Sequence, residues 1–161
     1  MDRSTPRESA SPKKGLVFQN TAQEVYLSLV ISCSQLSYDL DVLMRKHGLT
    51  QPQYNVLRIL RGAGPDGLGR NEIRERLVSS MPDVTRLLDR MEAAGMISRK
   101  QCELDRRQTK ATLTAHGAKL VRKLDAPLDH LHHKHTDGLE ERELQTMLAV
   151  LTKLRANAGL K

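Results

Sequence analysis

Apolar side chains recur at helical spacing along most of the chain, and capping residues mark where the predicted helices begin. Thr21, Thr50 and Ser80 are the predicted N-caps of the first, second and fourth helices. Gly48 and Gly95 follow the first and fourth helices, at the position where a left-handed backbone favours glycine. The pattern predicts six helices, which run from about Thr21 to His47, Thr50 to Gly62, Arg70 to Leu77, Ser80 to Ala94, Thr114 to Asp137 and Glu140 to Leu154.

Two short runs between the fourth and fifth helices have the character of strands. They cover Met96–Cys102 and Gln108–Thr114 and enclose a charged turn that carries Arg106 and Arg107. The third and fourth helices, joined by a tight turn, make a helix-turn-helix, and the hairpin adds a wing. The predicted fold class is mainly α with a small β-hairpin wing: a winged helix-turn-helix lobe plus a helical dimerisation lobe.

Positive charge is concentrated in the middle of the chain. Residues 45–123 hold 17 Lys and Arg against 8 Asp and Glu, an excess larger than the net +7 of the whole protein. A localised basic lobe attracts a polyanion. The chain has one Phe, three Tyr and no Trp, whereas proteins that bind single strands or RNA usually stack bases on exposed aromatic rings. Double-stranded DNA is therefore the predicted partner.

The candidate DNA contacts lie at the start of the fourth helix and along the wing. Ser, Thr and Arg side chains can bond bases or phosphates, and an Arg at a hairpin tip can enter a narrow minor groove. Asp83 either caps the helix or accepts from a cytosine amine, and Asp83 or Asp89 could instead hold the helix arginines in surface ion pairs. The predicted DNA-binding residues are Ser80, Met81, Pro82, Asp83, Thr85, Arg86, Arg90, Arg99, Lys100, Arg106, Arg107 and Lys110.

From Gly48 to Leu120 the chain resembles the winged helix-turn-helix of the multiple antibiotic resistance regulator (MarR) family. The phrases that carry the resemblance are 48–54 (GLTQPQY), 84–90 (VTRLLDR), 94–97 (AGMI), 105–107 (DRR) and 113–114 (LT). The resemblance implies a homodimer that binds a pseudo-palindromic operator, in most members as a repressor released by a small ligand or an oxidant. It also places Arg86, Arg90 and Arg107 at positions that hold DNA or brace the wing.

On this interpretation, residues 16–161 are a MarR-type domain after a disordered tail at 1–15, for which a minor-groove arm is the alternative. The winged helix-turn-helix spans about 48–115, and the dimerisation helices span about 21–47 and 116–158. An effector pocket is expected between the dimerisation lobe and each DNA lobe, whose occupation would weaken operator binding. The predicted dimer-interface residues are Val25, Leu29, Leu36, Leu144, Leu148 and Leu151.

Two other features suggest different chemistry. His130 and His133 belong to a run of four histidines in six residues, which could bind Zn²⁺ or Ni²⁺; a polar helix end is the alternative. Cys33 falls in the apolar stripe of the first helix and is expected to be buried, whereas Cys102 falls on the wing and could sense oxidants. A nonspecific architectural DNA-binding protein remains a second functional class.

No enzyme is predicted, since the chain shows no phosphate loop, nucleophile–base pattern or paired carboxylates in an apolar setting. No cofactor is predicted either. The chain has no apolar run of about 18 residues and no secretory signal, and its two cysteines are far apart. We therefore expect a cytoplasmic protein with no membrane partner.

Overall fold

A computed structural model describes residues 17–78, 83–101 and 109–159. Within these ranges the chain is mainly helical with one small antiparallel sheet, which confirms the predicted fold class. The tail at 1–15 lies outside the described residues. The helices are α1 (Thr21–Lys46), α2 (Gln51–Ala63), α3 (Arg70–Arg76), α4 (Val84–Ala93), α5 (Ala115–Lys123), α6 (Asp125–Thr136) and α7 (Glu141–Asn157), and the strands are β1 (Leu68–Gly69), β2 (Ile97–Gln101) and β3 (Thr109–Leu113).

The chain divides into two compact units, Met1–Val42 and Leu43–Lys161. The described part of the first unit is mostly α1. Its helix is capped one residue earlier than predicted, because the Asn20 side chain, and not that of Thr21, accepts the backbone N–H of Gln23 at 2.9 Å. The described side chains of this unit, residues 17–42, are all exposed or half-buried in the single chain.

The second unit has a core built from α2, α3, α4, α5 and the sheet. Its apolar side chains come from the inward stripe of each helix and from one face of the strands, as the periodicity predicts. The side chains that are almost fully buried are Met44, Val56, Leu57, Leu60, Ile73, Met91, Ile97, Val121 and Leu124.

Capping in the second unit follows the predicted signals. At the start of α2 both bonds of a capping box form: Gln53 N–H donates to Thr50 Oγ1 at 3.4 Å, and Thr50 N–H donates to Gln53 Oε1 at 2.9 Å. Gly48 and Gly95 both have positive φ and end α1 and α4. In each case the following N–H reaches back to the carbonyl of a methionine, Leu49 to Met44 and Met96 to Met91.

The sheet has one strand more than predicted. β2 and β3 form the expected hairpin, with Ile97 opposite Leu113 and Gln101 opposite Thr109. β1, only two residues long, pairs with β3 and gives the order β1-β3-β2. The sequence did not predict this strand, which follows the Gly64–Gly67 turn, because a strand of two residues has no alternating pattern of its own.

The predicted single helix from Thr114 to Asp137 is wrong, because it breaks at Leu124 into α5 and α6. Pro127 is the physical reason. It has no N–H to donate to the carbonyl of Lys123, and its ring would strike that carbonyl in a continuous helix. Proline is tolerated in the first turn of a new helix, and α6 begins at Asp125.

Candidate nucleic-acid interface

The fourth predicted helix, α4, begins at Val84 with Asp83 as its N-cap. The Asp83 carboxylate accepts the backbone N–H of Arg86 at 3.0 Å and lies 3.1 Å from the Arg86 Nε. The structure therefore gives Asp83 the capping role rather than a base contact, and the predicted cap Ser80 is displaced by three residues. Ser80, Met81 and Pro82 themselves lie outside the described residues.

The two faces of α4 differ sharply in exposure. Val84, Leu87, Leu88 and Met91 are buried, as predicted. Thr85, Arg86 and Arg90 are exposed on the other face, and the Arg86 side chain is 83% exposed despite its ion pair with Asp83. Such an exposed ion pair contributes little stability, so the guanidinium can leave it at small cost. Arg90 Nε donates to the carbonyl of Arg86 at 3.2 Å, which keeps the two arginines adjacent.

The wing holds two lysines at the same level of its hairpin. Lys100 and Lys110 are paired directly across β2 and β3, Lys100 exposed and Lys110 half-buried. Like charges opposite one another destabilise a strand pair, and a bound anion would relieve that repulsion. Arg106 and Arg107, predicted at the wing tip, lie with Cys102 outside the described residues.

Arg99 has a different setting from the two lysines, although all three were predicted as phosphate contacts. Its Nε donates to Glu92 Oε2 at 2.8 Å, its Nη2 contacts Asp89 Oδ1 at 2.6 Å, and its backbone N–H donates to Glu92 Oε1 at 2.9 Å. The side-chain hydrogen bond from Arg99 lowers the pKa of Glu92, and the same bond raises the pKa of Arg99. Both groups therefore stay charged, and they attach the wing strand β2 to α4.

The sequence pattern did not predict the structural roles of Asp89, Glu92 and Arg70 in this surface. Asp89 and Glu92 are one turn apart on α4, and their partner Arg99 lies on β2, so only the fold brings them together. Arg70, at the start of α3, approaches Thr85 at the start of α4, with Nη1 and Oγ1 3.4 Å apart. Their separation of 15 residues gives no periodic signal that could have linked them.

The predicted dimer-interface residues are exposed or half-buried within the single chain. On α1, Val25 and Leu36 are 46% and 44% exposed and Leu29 is half-buried. On α7, Leu148 is 55% exposed and Leu144 and Leu151 are half-buried.

The cysteine and histidine predictions have separate outcomes. Cys33 is exposed in the single chain, so its predicted burial is wrong; the described side chains of the apolar stripe that contains it, in residues 17–42, are also exposed or half-buried. His130 and His133 are exposed, and the His133 ring nitrogen Nδ1 lies 2.9 Å from the carbonyl of Asp129 on its own helix. Across the part of the chain that the structure describes, no three His, Cys, Asp or Glu side chains gather as a metal-binding group.

The described helices include none with the length and apolar character needed to cross a bilayer.

Comparison with known proteins identifies the domain that carries this surface. Residues 49–109 match the MarR family model. This part of the chain is therefore similar to the MarR family. The matched residues include α2, α3, α4 and β2 and end at the first residue of β3, so the match covers most of the candidate interface.

Solved structures of MarR-family proteins resemble this chain over most of its length. AbsC from Streptomyces coelicolor superposes with a TM-score of 0.79 at 22% identity, covering 89% of this chain and 98% of that one. MepR from S. aureus, solved as a DNA complex, gives 0.73 at 29% identity, covering 83% and 96%. The E. coli MarR C80S mutant, solved with operator DNA, gives 0.75 at 22% identity, covering 86% and 99%.

Proposed function

We propose that this protein binds a specific double-stranded DNA operator as a homodimer and represses transcription until a small-molecule effector releases it. The observation that carries the DNA part is the exposed face of α4, with Thr85, Arg86 and Arg90, beside the opposed lysines of the wing. MepR and E. coli MarR, which share the fold, were solved with DNA.

The role of each part follows from its chemistry. The exposed arginines of α4 can fork onto guanine in the major groove, and Thr85 can bond a base or a phosphate. Lys100 and Lys110 would contact phosphates, and Arg106 and Arg107 at the predicted wing tip would enter the minor groove. The Arg99 cluster would hold the wing at a constant angle to α4, so that both elements meet the duplex together.

The exposed apolar faces of α1 and α7 support the homodimer. α7 has 17 residues, and none of them is buried. Its apolar side chains Met147 and Leu148 are 50% and 55% exposed. Most of the stability of a helix in a protein comes from tertiary packing of its apolar face. We assign a second copy of the chain as the missing partner, since two-fold symmetry would also place two reading helices about one DNA turn apart.

Repression and effector release are proposed only because the chain resembles the MarR family. In most members of that family the resemblance implies a repressor that a small ligand or an oxidant releases from DNA. Effector binding would have to favour a state of the dimer that binds DNA less well. Once an operator is known, the effector can be sought by titrating small molecules into the complex. Unchanged operator affinity in the presence of every plausible ligand would count against this part of the proposal.

The decisive experiment selects the operator from genomic fragments and then measures affinity by fluorescence anisotropy, with random competitor duplex at two salt concentrations. We expect Arg86→Ala to weaken operator binding by roughly 1–3 kcal/mol and to relax sequence preference. Arg122→Ala is the matched control, because Arg122 is an exposed arginine on α5 and belongs to neither α4 nor the wing strands. Binding that random competitor abolishes would show a nonspecific architectural protein instead.

The dimer is tested separately by sedimentation velocity. Leu148→Glu places a charge in the exposed apolar stripe of α7 and should shift the protein to monomer. Lys153→Glu is the control, because Lys153 lies on the opposite side of the same helix. A parent chain that sediments as a monomer at micromolar concentration would refute the homodimer.

A further inference from the structure

A polar groove lies between the reading helix and the wing. It has a volume of about 870 Å³, and its polar lining residues are Arg70, Asn71 and Glu72 of α3, Thr85 and Glu92 of α4, and Arg99 and Thr109 of the wing strands; apolar residues form the rest of its wall. Thr85 is in the first turn of α4, and Thr109 is the first residue of β3, next to the predicted wing tip. The groove therefore separates the two elements that are proposed to read DNA.

The charged groups around the groove differ in what they already bind. Arg99 is engaged by Asp89 and Glu92, and the Glu72 carboxylate accepts the backbone N–H of Gly69 at 2.8 Å. Arg70 is exposed, and its only hydrogen bond among the described residues is the 3.4 Å contact with the Thr85 hydroxyl. No carboxylate of the described residues forms an ion pair with it. Among the described residues that line the groove, Arg70 is thus the cation that has no ion-pair partner and is available to a ligand.

The shape of DNA indicates what that ligand is. The major and minor grooves of a duplex are neighbours, separated by one sugar–phosphate backbone. A protein that places α4 in the major groove and the wing in the adjacent minor groove must pass that backbone between these two elements. The polar groove occupies this position.

We infer that the groove receives the sugar–phosphate backbone between the two DNA grooves and that the Arg70 guanidinium binds one of its phosphates. This inference rests on the proposed function. The Thr85 and Thr109 hydroxyls, on opposite sides, can donate to the same backbone. A contact to phosphate carries no base information, so Arg70 contributes affinity and salt dependence but leaves sequence preference unchanged.

The test compares Arg70→Ala, Arg70→Lys, Arg86→Ala and the control Arg122→Ala, each on the selected operator and on a random duplex across a salt series. Arg70→Ala should weaken both duplexes by the same factor, roughly tenfold, and reduce the slope of log affinity against log salt by about one. Arg70→Lys should keep the parent slope, and Arg122→Ala should match the parent. Arg86→Ala should lower the ratio of operator to random affinity.

Each contrary result has a defined meaning. If the parent binds operator but Arg70→Ala has the parent's affinity and salt slope, the groove inference is overturned and the proposed function stands. If Arg70→Ala weakens only the operator, Arg70 reads bases and the phosphate assignment is wrong. If the parent binds no duplex at all, the proposed function fails first. Circular dichroism checks that every variant is folded. Because the Arg70 side chain is exposed, we expect its substitution to leave folding unchanged.

Discussion

Gly117→Ala tests how closely α5 packs against the base of the wing. Gly117 is buried in α5, and a Cβ built on it would collide with the Met96 carbonyl oxygen. It would also lie 3.0 Å from the Met96 carbonyl carbon and 3.3 Å from Leu57 Cδ2. The colliding atom belongs to the backbone and cannot rotate away, so α5 or the turn at Met96 must move.

The cost follows from the bonds at this junction. The Met96 carbonyl accepts the Thr114 N–H at 3.2 Å and the Thr114 hydroxyl at 3.0 Å. Displacing α5 weakens both bonds, each worth about 1 kcal/mol, and overpacking adds about 1–3 kcal/mol. The helix propensity of alanine returns about 1 kcal/mol. We expect a net loss of about 2–4 kcal/mol and a fall in Tm of about 5–15 °C for a chain of this size.

Gly62→Ala is the matched control. Gly62 is in α2, is exposed, and has no atom within 4 Å of the position its Cβ would take. The same substitution should therefore stabilise the protein by about 0.5–1 kcal/mol. Both variants are compared with the parent by urea unfolding and thermal melts followed at 222 nm, at one protein concentration because dimerisation contributes to stability. A Gly117→Ala variant as stable as the parent would refute the packing argument.

Two pH-dependent predictions concern other residues. Glu92→Gln should cost about 1 kcal/mol at pH 7. The Arg99 hydrogen bond lowers the pKa of Glu92 from its ordinary 4.5, so the stability difference between parent and variant should disappear as pH falls from 4.5 through the folded-state pKa. Urea unfolding that gives the same stability difference at pH 3 as at pH 7 would contradict this prediction. Burial raises the pKa of Tyr54 above 10.0, against the opposing charges of Arg58 and Arg61. The native absorbance titration at 295 nm should show a phenol ionising above pH 10.0, and Tyr54→Phe should remove that step.

Local patterns predicted the framework of the second unit. The capping box at Thr50 and the glycine stops at 48 and 95 are formed as expected, because each depends on residues within one helical turn. The inward stripe of α4 and the wing hairpin also follow from periodicity. The break between α5 and α6 at Leu124 could also have been predicted from the sequence, because the effect of Pro127 on the preceding helical turn is local.

For the candidate interface, the sequence by itself determined which residue types are present on α4 and on the wing. Only the tertiary structure decided their partners. It moved the helix cap to Asp83, engaged Arg99 with two carboxylates, and brought Arg70 beside Thr85. A short pairing such as β1 with β3 also has no signal in the chain. The physical reason is that capping and periodicity are properties of one segment, whereas ion pairs, strand pairing and the exposure of Cys33 depend on which segments the fold places side by side.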